Sequence, residues 1–429
     1  MRMKMRMRSL VQNFLNKFFQ GILFRVLPCF LGLITVNASK AMSGTSRMAA
    51  PKVFLHLICD GGLDSSMVFD WKGGAANSYA IEAGAAQRTS LSGLQHVSHG
   101  ARPSVDSFYD QWGSRLAVLN GVGAPDLGAG ARHGPALEVE ISGRRRLWLS
   151  AYVEDAGKGR AVPVVIFPGI KLEGTVAEMA LVGRVPANLM TTTPAAAIFP
   201  AAVRERLFRD LRVDFSAYGA QLRAGSGDAI KGRGYDKQFR MQQVFDASVP
   251  GMWTAVYNGA QPDFVNQSKL ALEMFSSQKS LAAFVRVGAS SAWASNVGHF
   301  SGQSINLESL FSGLDAILDH AYTLGLQNQL VLVVSGQYGR TPWFNAAGGK
   351  DPWPVSSMMF WGNGVRSKVT GATDDVGRGI KIDPRFGTTT GDVISLDFQN
   401  AYASMLFLAG TNYRKWTAAL PVSGLLEAR

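Results

Sequence analysis

Six short apolar runs punctuate the chain: Val53 to Cys59, Leu116 to Leu119, Val164 to Phe167, Ala282 to Val287, Leu330 to Ser335 and Met358 to Trp361. Each is bounded by polar or glycine-rich residues and is too short for a helix. Continuous apolar runs of this length suit strands covered on both faces. A different period appears further on, where Leu307, Leu310, Phe311, Leu314, Ile317, Leu318, Ala321 and Leu324 form one helical stripe. Asn306 is suited to cap its start and Gly325 to stop it. That helix feeds the strand at Leu330, and a second helix is predicted over Ser395 to Gly410. Helix-to-strand units of this kind predict an α/β fold, a mostly parallel sheet sandwiched by helices. Reactive groups in such sheets collect beyond the carboxyl ends of the strands.

The pattern loosens between roughly residues 170 and 280. Val203 to Leu211 and Lys237 to Phe245 read as helices, separated by the glycine-rich stretches 224–227 and 231–234. We expect a helical insertion there, within one α/β domain spanning 50–429.

The N-terminus is different material. Arg2, Lys4, Arg6, Arg8, Lys17 and Arg25 precede a mainly apolar run from Val26 to Val36, with small residues before and at Ala41. Residues 1–41 therefore read as a signal peptide for export to the periplasm or beyond the cell. The run is well short of the roughly 20 residues that span a bilayer, so no stable membrane span is expected after processing. Residues 1–41 carry seven of the 43 Lys and Arg and none of the 31 Asp and Glu, so cleavage lowers the net charge from +12 to +5. The basicity belongs largely to targeting, and no nucleic-acid partner is expected. The remaining cluster Arg144-Arg145-Arg146 reads as a solvated turn. Cleavage also removes Cys29 and leaves Cys59 alone, so no intramolecular disulfide supports the fold.

Gly61-Gly62-Leu63-Asp64-Ser65-Ser66 follows the first strand and places a carboxylate and two hydroxyls at its end. Two readings stand. Asp64 and Ser65 cap the next segment, or Asp64 binds a divalent metal beside a nucleophilic hydroxyl, as in a phosphatase. Of the six histidines, His56 falls inside the first strand as a core residue, and His320 falls on the solvent side of the long helix. His96 and His99 read as a surface loop.

These blocks resemble the bacterial exported proteins of domain-of-unknown-function family 1501, in the alkaline phosphatase and sulfatase superfamily. The carrying residues are Leu57 to Asp64, Arg115 to Gly123, Ala131-Arg132-His133, Ser291 to Asn296, Gln337-Tyr338-Gly339-Arg340-Thr341-Pro342 and Lys350-Asp351-Pro352-Trp353-Pro354. The resemblance implies an alkaline-phosphatase-like fold and two divalent ions held by Asp and His. Against it, Ala294 stands for an Asp, Asn296 and Pro352 for His, and Gln337 for Glu. Alanine and proline side chains offer no lone pair to a metal.

Two function classes follow. The first is a catalytically inactive exported protein with no cofactor, binding a protein partner or serving assembly in the cell envelope. The second is a hydrolase of phosphate or sulfate esters in which Asp64, His133, His299 and Asp351 hold one divalent ion such as zinc or manganese, with Asp64, Ser65 and Arg340 as its catalytic residues. In the first, Arg340 ties a strand-end loop through backbone carbonyls. Trp343, Phe344, Trp353 and Met358 to Trp361 are read as core packing, with an exposed contact surface as the alternative.

Overall fold

The computed structural model describes residues 50–73, 79–124, 137–168, 170, 182–185, 248, 251–289 and 291–427. The expected signal peptide lies outside them, as do the expected helices over 203–211 and 237–245.

Eight strands build the central sheet: β1 (Val53–Cys59), β2 (Leu116–Gly123), β3 (Val164–Ile166), β4 (Val182–Arg184), β5 (Ala282–Val287), β6 (Leu330–Gly336), β7 (Val355–Gly362) and β8 (Lys368–Thr370). Their order is β8-β2-β7-β6-β1-β5-β3-β4. β6, β1, β5, β3 and β4 run parallel in succession, β8 runs parallel to β2, and β7 is antiparallel to both neighbours. The fold is thus α/β with a mostly parallel sheet. β1 sits inside it with all seven residues buried, opposite β6 on one side and β5 on the other. All six apolar runs are strands, and β7 extends three residues before Met358.

Among the described residues, the helices that cover the sheet include α1 (Pro103–Trp112), α2 (Trp148–Ala156), α3 (Asp263–Ser276), α4 (His299–Thr323) and α5 (Phe398–Leu408). Alternation along the strands assigns their faces. Phe54 of β1 meets Trp148 and Tyr152 of α2 at 5.1 and 4.9 Å. His56, on the same face, lies 6.0 Å from Tyr402 of α5. Trp361 pairs with Leu332, which points to the other face, and packs edge-on against Trp112 of α1 at 5.8 Å. α4 lies on α1 through Phe108 and Phe311, 5.3 Å apart. It approaches α3 at Gly313, where a Cβ would stand 2.3 Å from the Phe264 ring.

The long helix ends as expected. Gly325 adopts φ +70°, its N–H reaches Tyr322 O, and Leu326 N–H reaches Ala321 O. Its start differs: α4 begins at His299 after Gly298, and Asn306 lies inside it, donating to Ala292 O at 2.9 Å. The added turns carry polar residues turned toward the sheet edge, so no apolar stripe announces them. α5 opens with a capping box between Asp397 and Asn400. No helix among the described residues is long and apolar enough to cross a membrane.

Two local expectations need correction. His96 is buried rather than on a surface loop; its Nε2 is 2.7 Å from Asp106 Oδ1 and its ring stacks on Tyr109 at 4.2 Å. Arg144–Leu147 forms a hairpin strand with Glu138–Ile141, not a free turn. There Arg145 pairs with Glu140 at 2.9 Å, and Arg146 pairs with Glu154 and lies over Trp416. Within 170–280, the described parts are strand β4, helix α3 and a helical turn over 251–256. Met358 to Trp361 are core residues, whereas Trp343 and Phe344 are 44 % and 43 % exposed.

Candidate functional site: a buried carboxylate beyond the sheet

Beyond the carboxyl ends of β1, β5 and β6, four segments close around Asp64. The chain leaves β1 through Gly61 and Gly62, at φ +110° and +93°. Only glycine fits at Gly61, because a Cβ there would stand 2.6 Å from the Ala294 backbone nitrogen. The turn delivers Asp64 to the start of a single 3-10 turn, Ser65–Met67, which its side chain caps through Ser66 N–H. The capping reading of Asp64 therefore describes real geometry, and so does its burial at the strand end.

Each oxygen of this carboxylate accepts two hydrogen bonds. Oδ1 takes the Ser66 backbone N–H at 2.9 Å and the Ser66 hydroxyl at 2.6 Å. Oδ2 takes the Lys350 ammonium at 2.8 Å and His299 Nε2 at 2.7 Å. A carboxylate has about four lone-pair positions, so none is left over. The Lys350 and Asp64 side chains are 0 % and 4 % exposed. Burial would raise the Asp64 carboxyl, but the Lys350 charge and the His299 hydrogen bond outweigh it and hold the group well below the ordinary carboxylate range.

A polar chain orients the imidazole. Gln303 Nε2 donates to Trp293 O, Gly62 O and Ser295 Oγ, at 2.9, 3.1 and 3.2 Å. Ser295 Oγ lies 2.7 Å from His299 Nδ1. With Ser295 accepting from Gln303 and donating to Nδ1, the ring proton sits on Nε2 and points at Asp64. Gln303 Oε1 also accepts from Asp64 N–H at 3.3 Å. His299 and Gln303 are one turn apart on α4, which explains why this helix begins before its apolar stripe.

Arg340 locks the loops together. Its guanidinium donates to Asn296 Oδ1 at 2.7 Å and to the carbonyls of Trp293, Lys350 and Gly62 at 2.9, 3.0 and 3.4 Å. Gln337 Oε1 accepts from Gly61 N–H at 3.3 Å. Lys350 N–H bonds to Ser295 O, so the lysine is fixed at its backbone as well as its charge.

The metal-ligand set expected from sequence is only partly gathered. Asp64 and His299 touch. Asp351 is exposed, with Oδ1 held by Asn345 at 2.8 Å. His133 lies outside the described residues. Among the described residues, no three His, Cys, Asp or Glu side chains gather closely enough to hold a metal. The donor set does not suit one either. The partners around Asp64 are a lysine, which has no lone pair to give, a histidine already donating, and an Asn296 oxygen already taken by Arg340.

Ser65 lies beside this network but outside it. Its hydroxyl is buried and has no hydrogen-bond partner. With Asp64, Ser66, Arg340 and Trp353 it lines a cleft of about 20 Å³, room for roughly one water. Lys350, Ser295 and Gln303 are the site residues that sequence reasoning missed.

No family model and no curated protein matches the sequence. Solved structures are similar at low identity. A protein in the alkaline phosphatase superfamily from Vibrio parahaemolyticus is 9% identical, covering 84% of this chain and 67% of that one, with TM-score 0.39. A sulfatase from Pseudoalteromonas sp. is 10% identical over 94% and 74%, with TM-score 0.37. A Bacteroides thetaiotaomicron protein, described with the metabolism of glycosaminoglycans, is 8% identical over 88% and 76%, with TM-score 0.39. Likenesses at this level assign no chemistry to this chain.

Proposed function

We propose that this chain is an exported binding or assembly module of the cell envelope, built on an alkaline-phosphatase-like scaffold of the family 1501 kind, in which the ammonium of Lys350 stands where a divalent ion would. The observation that carries the reading is the filling of all four acceptor positions of Asp64 by Lys350, His299 and Ser66. A metal at that carboxylate would have to displace a buried cation and break its pairing, which costs several kcal/mol. The replaced positions Ala294, Asn296, Pro352 and Gln337 point the same way. The basic-then-apolar segment 1–41 supports export, and a protein partner in the envelope is the interaction that fits a module without its own chemistry.

A second reading draws on one observation, the unpartnered Ser65 hydroxyl beside Asp64. In it the chain hydrolyses phosphate or sulfate esters, with Ser65 attacking, Arg340 assisting, and zinc or manganese on Asp64, His133, His299 and Asp351. No described side chain accepts the Ser65 proton, so the hydroxyl lacks the base a nucleophile needs.

Metal content of the purified mature protein, measured with turnover of an aryl phosphate and an aryl sulfate, separates the two. The expected result is substoichiometric metal, no turnover, and co-purification with an envelope complex. Stoichiometric zinc or manganese, with activity abolished in Asp64→Ala, establishes the hydrolase instead.

A further inference from the structure

A second cleft lies apart from Asp64. It opens beyond the carboxyl end of β5, between α3 and α4, with a volume of about 400 Å³. That lies within the range of small-molecule sites. Among the described residues its apolar walls include Trp253, Phe264 and Trp293, with Trp253 and Trp293 only 4 % and 1 % exposed.

The polar groups of this cleft are mainly neutral. Asn306 and Ser309 stand three apart on α4, so they share a face of that helix. One N–H of the Asn306 amide donates to Ala292 O, and its oxygen can accept from another donor. Two polar atoms that belong to lining residues, Trp253 Nε1 and Gln267 Oε1, are buried and have no hydrogen-bond partner. One is a donor only and the other an acceptor only, and each unmade bond carries a desolvation cost. Among the described residues the wall holds one cation, Arg286, which donates to Gly288 O at 3.2 Å and lies 3.8 Å from Asp60, so its charge already faces a carboxylate. Asp263, at the start of α3, adds an acid at the rim.

We propose that this cleft binds a small neutral organic ligand with a flat apolar body and an amide edge. The body packs against the Trp and Phe rings. A ligand carbonyl accepts from Trp253 Nε1 and a ligand N–H donates to Gln267 Oε1 or to the amide oxygen of Asn306. Because both unpartnered atoms are covered, their side chains turn slightly to meet the ligand, an adjustment common on binding. The site is separate from Asp64 yet joined to it at Trp293, whose ring lines the cleft and whose carbonyl accepts from Arg340 and Gln303.

The test is calorimetric or ligand-observed NMR titration of the mature protein with benzamide, with toluene and benzoate as comparison probes. Benzamide is expected to bind in the millimolar range, at least fivefold tighter than either comparison. Ser309→Leu, which fills the cleft from a half-buried helix position, and Trp253→Phe, which keeps an aromatic ring but removes the indole N–H and part of the ring surface, are each expected to weaken benzamide at least fivefold. Arg366→Ala, at an exposed position outside the cleft, is expected to leave benzamide affinity unchanged, and because benzamide binding is read apart from metal content and ester turnover, failure here is distinguishable from failure of the envelope-module reading. Folding of each variant is checked by circular dichroism. Toluene binding as tightly as benzamide, benzoate binding more tightly, no binding to folded protein, or affinity indifferent to both cleft variants each overturns the proposal.

Discussion

Lys350 and Asp64, 286 residues apart in sequence, meet at 2.8 Å with both side chains buried. Such a pair stabilises a fold conditionally: intact, it roughly balances its own desolvation, whereas breaking it strands a charge. Lys350→Met alone is expected to destabilise the protein by about 3–5 kcal/mol. The double variant Asp64→Asn with Lys350→Met removes both charges and is expected to recover at least half of that loss. Urea denaturation of the two singles and the double measures the coupling, and additive losses would refute it.

Acid stability is governed in part by His56. Trp148 Nε1 donates to its Nδ1 at 3.1 Å, and Nε2 lies 2.9 Å from Ser335 Oγ, so the ring is held neutral. Burial pushes its pKa down to about 3. The unfolded chain binds a proton at this residue below about 6.5 while the folded chain does not. Stability therefore falls as pH drops from 6.5 toward 3, by up to roughly 1.4 kcal/mol per pH unit. The slope between pH 6.5 and 5, above the carboxylate range, is expected to flatten in a folded His56→Gln variant. Asp64 has the opposite chemistry and the same direction. Its depressed pKa gives stability that is complete above about 4 and is lost in stronger acid.

Arg340 serves three carbonyls and one amide oxygen through a planar fork. A lysine keeps the charge but not that geometry. Arg340→Lys is expected to cost about 2–4 kcal/mol, in line with the loss of several buried hydrogen bonds. A change below about 0.5 kcal/mol in thermal or chemical denaturation would show that the loops are held by other contacts.

Ser65 provides the reverse case. Since its buried hydroxyl has no partner, Ser65→Ala removes an unsatisfied group. The expected change in stability lies between zero and a gain of about 1 kcal/mol. A loss above 1 kcal/mol, measured by the same denaturation, would mean that the hydroxyl has a partner after all.

How much of this was legible in the chain depends on what kind of signal each part emits. β1, β5 and β6 announce themselves because both faces of a central strand are covered, leaving uninterrupted apolar runs. The opposite direction of β7 left no trace, since an apolar run reads the same either way. The first turns of α4 were hidden for a related reason: His299 and Gln303 are buried by hydrogen bonds, which a hydrophobic stripe cannot register. Asp64 and Arg340 were visible as chemistry at a strand end. Lys350 was not, because lysine is ordinarily a surface residue and only its three-dimensional pairing makes it part of the core. Asp351, adjacent to it, drew attention as a carboxylate and turned out to face solvent.

Cys59 closes β1 completely out of reach of solvent, and burial with the nearby Asp60 charge pushes its thiol well above the ordinary range. The reactive form of sulfur is the thiolate, and here it is suppressed twice, by chemistry and by access. Once folded, the chain offers oxidants and exchange catalysts no handle at this position. It can reside in a disulfide-forming compartment without being captured in mixed disulfides with its neighbours.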